Sequence, residues 1–349
     1  MTGRWLTAVA VLAVLLFGPS VVVGQTAAAA DDWTPAMTPW GDPDLRGIWN
    51  SKTTTPLERP DEFEGREFLD EEEVAALEGR ALDRLLEGSG AILLPERSER
   101  GTAIDVAGAY NSVFSSRGTT VVRTKRTSLI VDPTDGKIPY SPEGLDHVET
   151  EVAYRRALSA ADLRTVVDMA NGPEDRPNDR CLGFTLPCTS NYCAFARIAQ
   201  SPGVVTIYYE AGHVGGAYRT ISLDDRPHVP PHIRQWYGDP IGHWEGETLV
   251  VDTTNFTDRR SVQGTSTPVG FRGNGETFHL VERFTRVAPD MILYRATIEN
   301  TAMYAQPWTI ELPWIQTDNS QNQLYESACH EGNYGLAGIL AGARALEKK

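Results

Sequence analysis

Glu210, His213, Arg219, His228 and His232 fall close together in the chain, and their side chains move protons, bind anions or ligate metals. Glu210 closes a β-branched and aromatic run, Val204 to Glu210, and His213 sits in the turn that follows. A carboxylate and an imidazole meeting at the end of a strand can serve as general base and general acid. Arg219 would orient an anionic group on the same small molecule. In His228-Val-Pro-Pro-His232 the prolines fix the backbone between two imidazoles, and two His with a carboxylate would accept a divalent ion. The competing reading is a solvated loop on an acidic protein. We expect no metal and no cofactor; His228 and His232 are the residues that would hold a metal if the loop bound one.

A second set lies on three successive strand-like segments. Asp252 and Asn255 fall on opposite faces of the first, Glu282 and Arg283 of the second, and Tyr294 and Glu299 of the third, because side chains alternate along a strand. Whichever face turns inward therefore carries at least one ionisable group, which must be paired or face a wet interior. Tyr294 or Arg283 would stabilise developing negative charge, and Asn255 and Glu282 would contact the bound molecule. Near the C-terminus, Cys329-His330-Glu331-Gly-Asn333-Tyr334 is a dense polar cluster that contributes His330 as a ligand contact. The indoles of Trp49, Trp236, Trp244, Trp308 and Trp314 are spread over the same elements; such rings make flat walls for small ligands, or simply pack a core. The chain has no Gly-x-Ser-x-Gly elbow, no His-Glu-x-x-His, no phosphate-binding loop and no calcium loop.

The elements that must position these residues are mostly strands. Runs at 47–49, 128–131, 195–200, 204–210, 217–222, 242–244, 248–256, 279–287, 291–299, 308–316 and 324–328 have strand composition, and short turns join most of the later ones. Val74, Leu77, Ala81 and Leu85 recur at helical spacing behind the capping pair Asp70 and Glu73, which predicts a helix near 71–86. Two more helices are expected near 160–170 and 335–346.

With 47 acidic against 32 basic residues the chain carries a formal charge of −15, which opposes binding to phosphate backbones and anionic membrane surfaces. Arg4, the apolar run from Trp5 to Val23 and the small residues of 26–30 have the order of a secretory signal. We therefore expect export to the periplasm or medium, a mature start near Asp31 (or near Gln25), and one β-rich domain over 31–349 with helical insertions. An uncleaved anchor is the alternative, although Gly18 and Pro19 interrupt the run. Cys181, Cys188, Cys193 and Cys329 then read as two disulfides with three possible connectivities. One of these closes the short 188–193 loop and leaves Cys181 for Cys329. A zinc set fits their spacing poorly.

Two resemblances add to this. Gly47-Ile48-Trp49 ahead of a meander resembles the lipocalin-like (calycin) pattern. Thr55-Pro-Leu-Glu-Arg-Pro60, the run Trp244-Glu-Gly-Glu-Thr-Leu-Val-Val-Asp-Thr-Thr-Asn-Phe256 and Cys329-His-Glu-Gly-Asn-Tyr334 resemble a large family of secreted bacterial proteins with no established reaction. That second resemblance implies export and one fold, and assigns no catalytic residue.

The expected architecture is mainly β, an antiparallel meander closed into a calycin-like barrel with peripheral helices, since closure leaves no exposed edge. A propeller would need an internal repeat that is absent. The expected function is an exported acid–base enzyme (lyase, isomerase or hydrolase) acting on a small organic substrate in a polar, Trp-walled cavity. The alternatives are a non-catalytic binder of a small aromatic or amphipathic ligand, or an envelope interaction module.

Overall fold

The computed structural model describes residues 33–93, 118–159, 181, 186–189, 193–210, 216–257, 276–317, 320, 324, 328–329, 331 and 334–348. Its ten strands are β1 (Gly47–Asn50), β2 (Ile130–Asp132), β3 (Phe195–Ser201), β4 (Val204–Glu210), β5 (Ala217–Ser222), β6 (Asp239–Glu245), β7 (Thr248–Thr254), β8 (Phe278–Ala288), β9 (Met291–Asn300) and β10 (Trp308–Gln316). They form one sheet in the order β1-β3-β4-β5-β6-β7-β8-β9-β10-β2, and β1 also pairs with β10. The sheet is thus a closed barrel of nine strands with β2 as an extra strand. The end of β10 holds β1 through Ile315 and Gln316, while its start holds β2 through Thr309 and Ile310. Helices α1 (Glu71–Leu93), α2 (Pro142–Ser159) and α3 (Tyr334–Leu346) are the decoration outside the sheet.

A ring of nine strands cannot alternate in direction all the way round, so one junction must be parallel. It falls between β5 and β6, where a single residue pair, Ser222 and Ile241, is in register. Every other junction is antiparallel. Parallel neighbours need a crossover rather than a tight turn, and residues 223–238 supply it. Gly242 lets the seam close. A Cβ there would stand 2.7 Å from Ile221 Cγ2 and 2.8 Å from Leu223 Cδ2. Gly242→Ala is therefore expected to cost about 1–3 kcal/mol through overpacking, measured as a lower denaturant midpoint at unchanged m-value.

The inner face follows from alternation: in β8, Phe278, Leu280, Glu282 and Phe284 are buried and the residues between them are not. Turns suit the hairpins. Gly203 (φ +77°) follows Pro202 between β3 and β4, and Gly246 (φ +59°) turns β6 into β7. The chain before β1 folds back on the barrel: Leu45 N–H donates to Gln200 Oε1 at 2.7 Å, and the Trp49 indole donates to Leu45 O at 2.9 Å.

The 55–60 motif is a clasp for β2. Leu129 and Ile130 donate their N–H groups to the carbonyls of Pro56 and Leu57, Glu58 accepts from Ile138 N–H, and the buried Arg59 donates to Thr127 Oγ1 and Thr134 O. At the start of α1 the expected reciprocal cap is present, with Glu73 N–H on Asp70 Oδ1 at 2.9 Å and Asp70 N–H on Glu73 Oε2 at 3.0 Å. α1 runs past the expected stop near Gly88 to Leu93. Helix α2 occupies 142–159, a stretch whose charged, weakly periodic sequence carries no clear helical stripe. The helix expected near 160–170 and most of the strand expected at 324–328 lie outside the described residues. The disulfides are Cys181–Cys329 and Cys188–Cys193.

Candidate functional site

The barrel interior holds an ion pair walled by aromatic rings. Arg219 on β5 and Glu282 on β8 are fully buried, and their bond is bidentate: Nη1 to Oε1 at 3.0 Å and Nη2 to Oε2 at 2.6 Å. Thr253 Oγ1 on β7 accepts from Nη2 at 3.2 Å, and the Tyr294 hydroxyl on β9 donates to Glu282 Oε1 at 2.8 Å. Trp314 lies 5.3 Å from Tyr294, 5.5 Å from Phe284 and 6.0 Å from Tyr209 between ring centroids. Alternation explains the convergence, since each residue occupies an inward position on its strand.

Electrostatics keep this group in fixed protonation states. Burial alone would lower the Arg219 pKa, but the adjacent Glu282 carboxylate outweighs it and holds the guanidinium above its ordinary value. Burial, reinforced by Glu282, pushes the Tyr294 phenol well up; burial likewise raises that of Tyr209. Both tyrosines stay neutral donors at any ordinary pH. Arg219 Nε and Trp314 Nε1 are buried with no hydrogen-bond partner among the described residues.

A second constellation lies outside the barrel, where the 223–238 crossover lies against β6 to β9. Asp239 Oδ1 is 2.6 Å from Arg226 Nη2, and Asp239 Oδ2 accepts from Val229 N–H at 2.9 Å. His228 Nδ1 is 3.2 Å from Asp239 Oδ2, and its Nε2 is 3.0 Å from Asp252 Oδ1. His279 Nε2 is 3.1 Å from both Asp252 oxygens, with Nδ1 3.2 Å from Glu299 Oε2. The Arg226 guanidinium holds the Asp239 pKa down at about 2; the His279 imidazole likewise lowers Asp252, and Asp252 in turn raises His279.

The other expected site residues are dispersed. Glu210 is half-buried at the end of β4, its pKa raised by burial against the opposing pull of Lys52, while His213 lies outside the described residues. Arg283 faces outward and pairs with Glu245, away from Tyr294. The Asn255 amide donates to the carbonyls of Val229, Pro230 and Ile233, so it fastens the crossover. Trp49 and Trp308 are fully buried, Trp236 and Trp244 are partly buried, and His330 lies outside the described residues. His232 is exposed and stands apart from His228's partners. Among the described residues no group of three His, Cys, Asp or Glu side chains is arranged to hold a metal ion.

Sequence reading passed over Tyr209, Thr253, Asp239, His279 and Lys52. Alternation would have put Thr253 on the face of Val251, but nothing local said that this face meets Arg219. Lys52 is held at about 8 by burial, against Glu210, with Nζ 4.2 Å above the Phe195 ring. Comparison with protein-family models, curated proteins and solved structures finds no match.

Proposed function

We propose that the chain is an exported binding protein that holds a small aromatic or amphipathic ligand inside the barrel and releases it unchanged. The observation that carries this reading is the fully buried Arg219–Glu282 pair among Trp314, Tyr294, Tyr209 and Phe284. A buried ion pair is a poor device for stability, because well-packed apolar side chains of similar size serve as well or better. Few precisely placed polar groups on an aromatic wall are what orients a small molecule. The pair is internally neutralised, and Glu282's oxygens are engaged by Arg219 and Tyr294, whereas Arg219 Nε and Trp314 Nε1 remain as donors. Such a wall suits an uncharged ligand bearing an acceptor oxygen. Two disulfides support export to an oxidising compartment.

The test is titration of the mature protein with a panel of small aromatic carbonyl compounds, followed by Trp fluorescence and by mass analysis of the recovered compound. Quenching with the compound recovered intact is expected. The double variant Arg219→Met/Glu282→Leu should keep the fold and weaken binding at least tenfold. A chemically altered compound would move the protein to the enzymes, and equal binding by the double variant would remove the ion pair from the site.

A further inference from the structure

The parallel seam and the network outside it belong together. Between β5 and β6 a single residue pair is in register, against two where β1 meets β10 and four or more at the other junctions of the ring, so this is one of the two places where the barrel wall is most easily parted. The 223–238 crossover is fastened beside that gap, by two kinds of bond. Its second half is held by groups that do not titrate near neutrality: the Asn255 amide on three carbonyls, Gln235 N–H on Asn255 O, Thr257 N–H on Gln235 O and the Arg234–Glu276 pair. Its first half, next to the seam, is held by ionisable groups. Arg226 and His228 on the crossover face Asp239 of β6 and Asp252 of β7, and His279 of β8 joins Asp252 to Glu299 of β9; Asp224, also on the crossover, lies beside Ser222 and Arg226.

The chemistry of that half depends on two protons. Each imidazole has carboxylate oxygens beside both ring nitrogens, and only the doubly protonated ring donates to both. With both rings charged, Arg226, His228 and His279 offset three of the four carboxylates of Asp224, Asp239, Asp252 and Glu299. Without those two protons, four carboxylates face one guanidinium, and Asp239 and Asp252 no longer share a donor.

We infer that residues 224–229 form a proton-controlled gate over the β5–β6 seam, closed while His228 and His279 are protonated and loosened when they are not. The gate stands on this geometry alone. Its use, admitting a ligand toward Arg219 just inside β5, rests on the binding function proposed above.

The pH range follows from the groups whose shifts are resolved. His279, raised in the fold, contributes fully below its unfolded value of about 6.5, and that contribution is lost as pH rises through the folded value. Asp239 and Asp252, lowered in the fold, contribute above about 3.8 and lose it as pH falls below. The gate is therefore tightest between about pH 4 and 6.5 and opens on the alkaline side.

Hydrogen exchange of the mature protein at pH 5.5, 7.0 and 8.5, normalised to intrinsic rates, tests this without any ligand. The amide of Val229, which donates to Asp239 Oδ2, should lose at least tenfold protection between the lowest and highest pH, while those of β8 and β9 stay constant. His279→Gln should flatten the dependence; His228→Gln is the second variant if the first alters the circular dichroism spectrum. Protection that does not change with pH in the wild type overturns the gate, as does a dependence abolished by a chelator, which would reveal a metal instead. A gate that opens with no ligand found at any pH would leave the gate standing and remove the binding function. Ligand uptake at a pH-independent rate would do the reverse.

Discussion

Glu282→Ala should lower the unfolding free energy by about 3–5 kcal/mol, because it leaves the Arg219 guanidinium charged and unpaired in the barrel interior. The charge cannot escape by deprotonation, since arginine stays protonated at any accessible pH. The Tyr294 hydroxyl loses its acceptor in the same variant, which adds an unsatisfied buried donor. The double variant Arg219→Met/Glu282→Leu should behave oppositely and be neutral or more stable by about 1–4 kcal/mol, as it removes both charges while filling their volume. Equilibrium denaturation, followed by near- and far-ultraviolet circular dichroism, separates the two. If the single variant loses less than about 1 kcal/mol, the guanidinium is reaching water and the interior is wetter than its burial implies. The contrast also bears on the proposed function: a pair that stability would do without, yet whose removal weakens ligand binding, is the result that reading requires.

The second large effect is expected from the disulfides, and it should be unequal. Cys181 and Cys329 are separated by 148 positions and Cys188 and Cys193 by 5. Chain entropy assigns about 5 kcal/mol to closing the long loop and about 2 kcal/mol to the short one. Cys181→Ser/Cys329→Ser should thus lower the denaturant midpoint clearly more than Cys188→Ser/Cys193→Ser. Equal losses would mean that the unfolded chain keeps its C-terminal segment near residue 181 without the bond. A larger loss from the short loop would place its contribution in the native packing of Cys188 and Cys193, which are both buried in the core.

Much of the fold was legible because it is written locally. The period-2 pattern of β8 and the Asp70–Glu73 cap both act within a few residues of themselves, and each appears where the sequence places it. Helix α2 was not legible because its sequence has little amphipathic stripe to detect. The candidate site was legible only in its parts. Arg219, Glu282 and Tyr294 each stood out as ionisable groups on strands, but they were assigned to different tasks and grouped with Glu210, His213 and Arg283.

The sequence by itself determined that this is a β-rich barrel with an even set of cysteines, and that whichever face of the 248–299 strands turns inward carries at least one ionisable group. Local sterics and alternation suffice for that, because they fix which side of a strand a residue occupies. Only the tertiary structure decided which inward charges meet. Arg219 reaches Glu282 across intervening strands, through a register set by the closure of the whole barrel. It alone decided that the odd strand count is absorbed at β5–β6, and hence that His228, Asp252 and His279 come to lie against one another outside that seam. Pairings of this kind join positions far apart in the chain, and no local pattern encodes the stagger that brings them into contact.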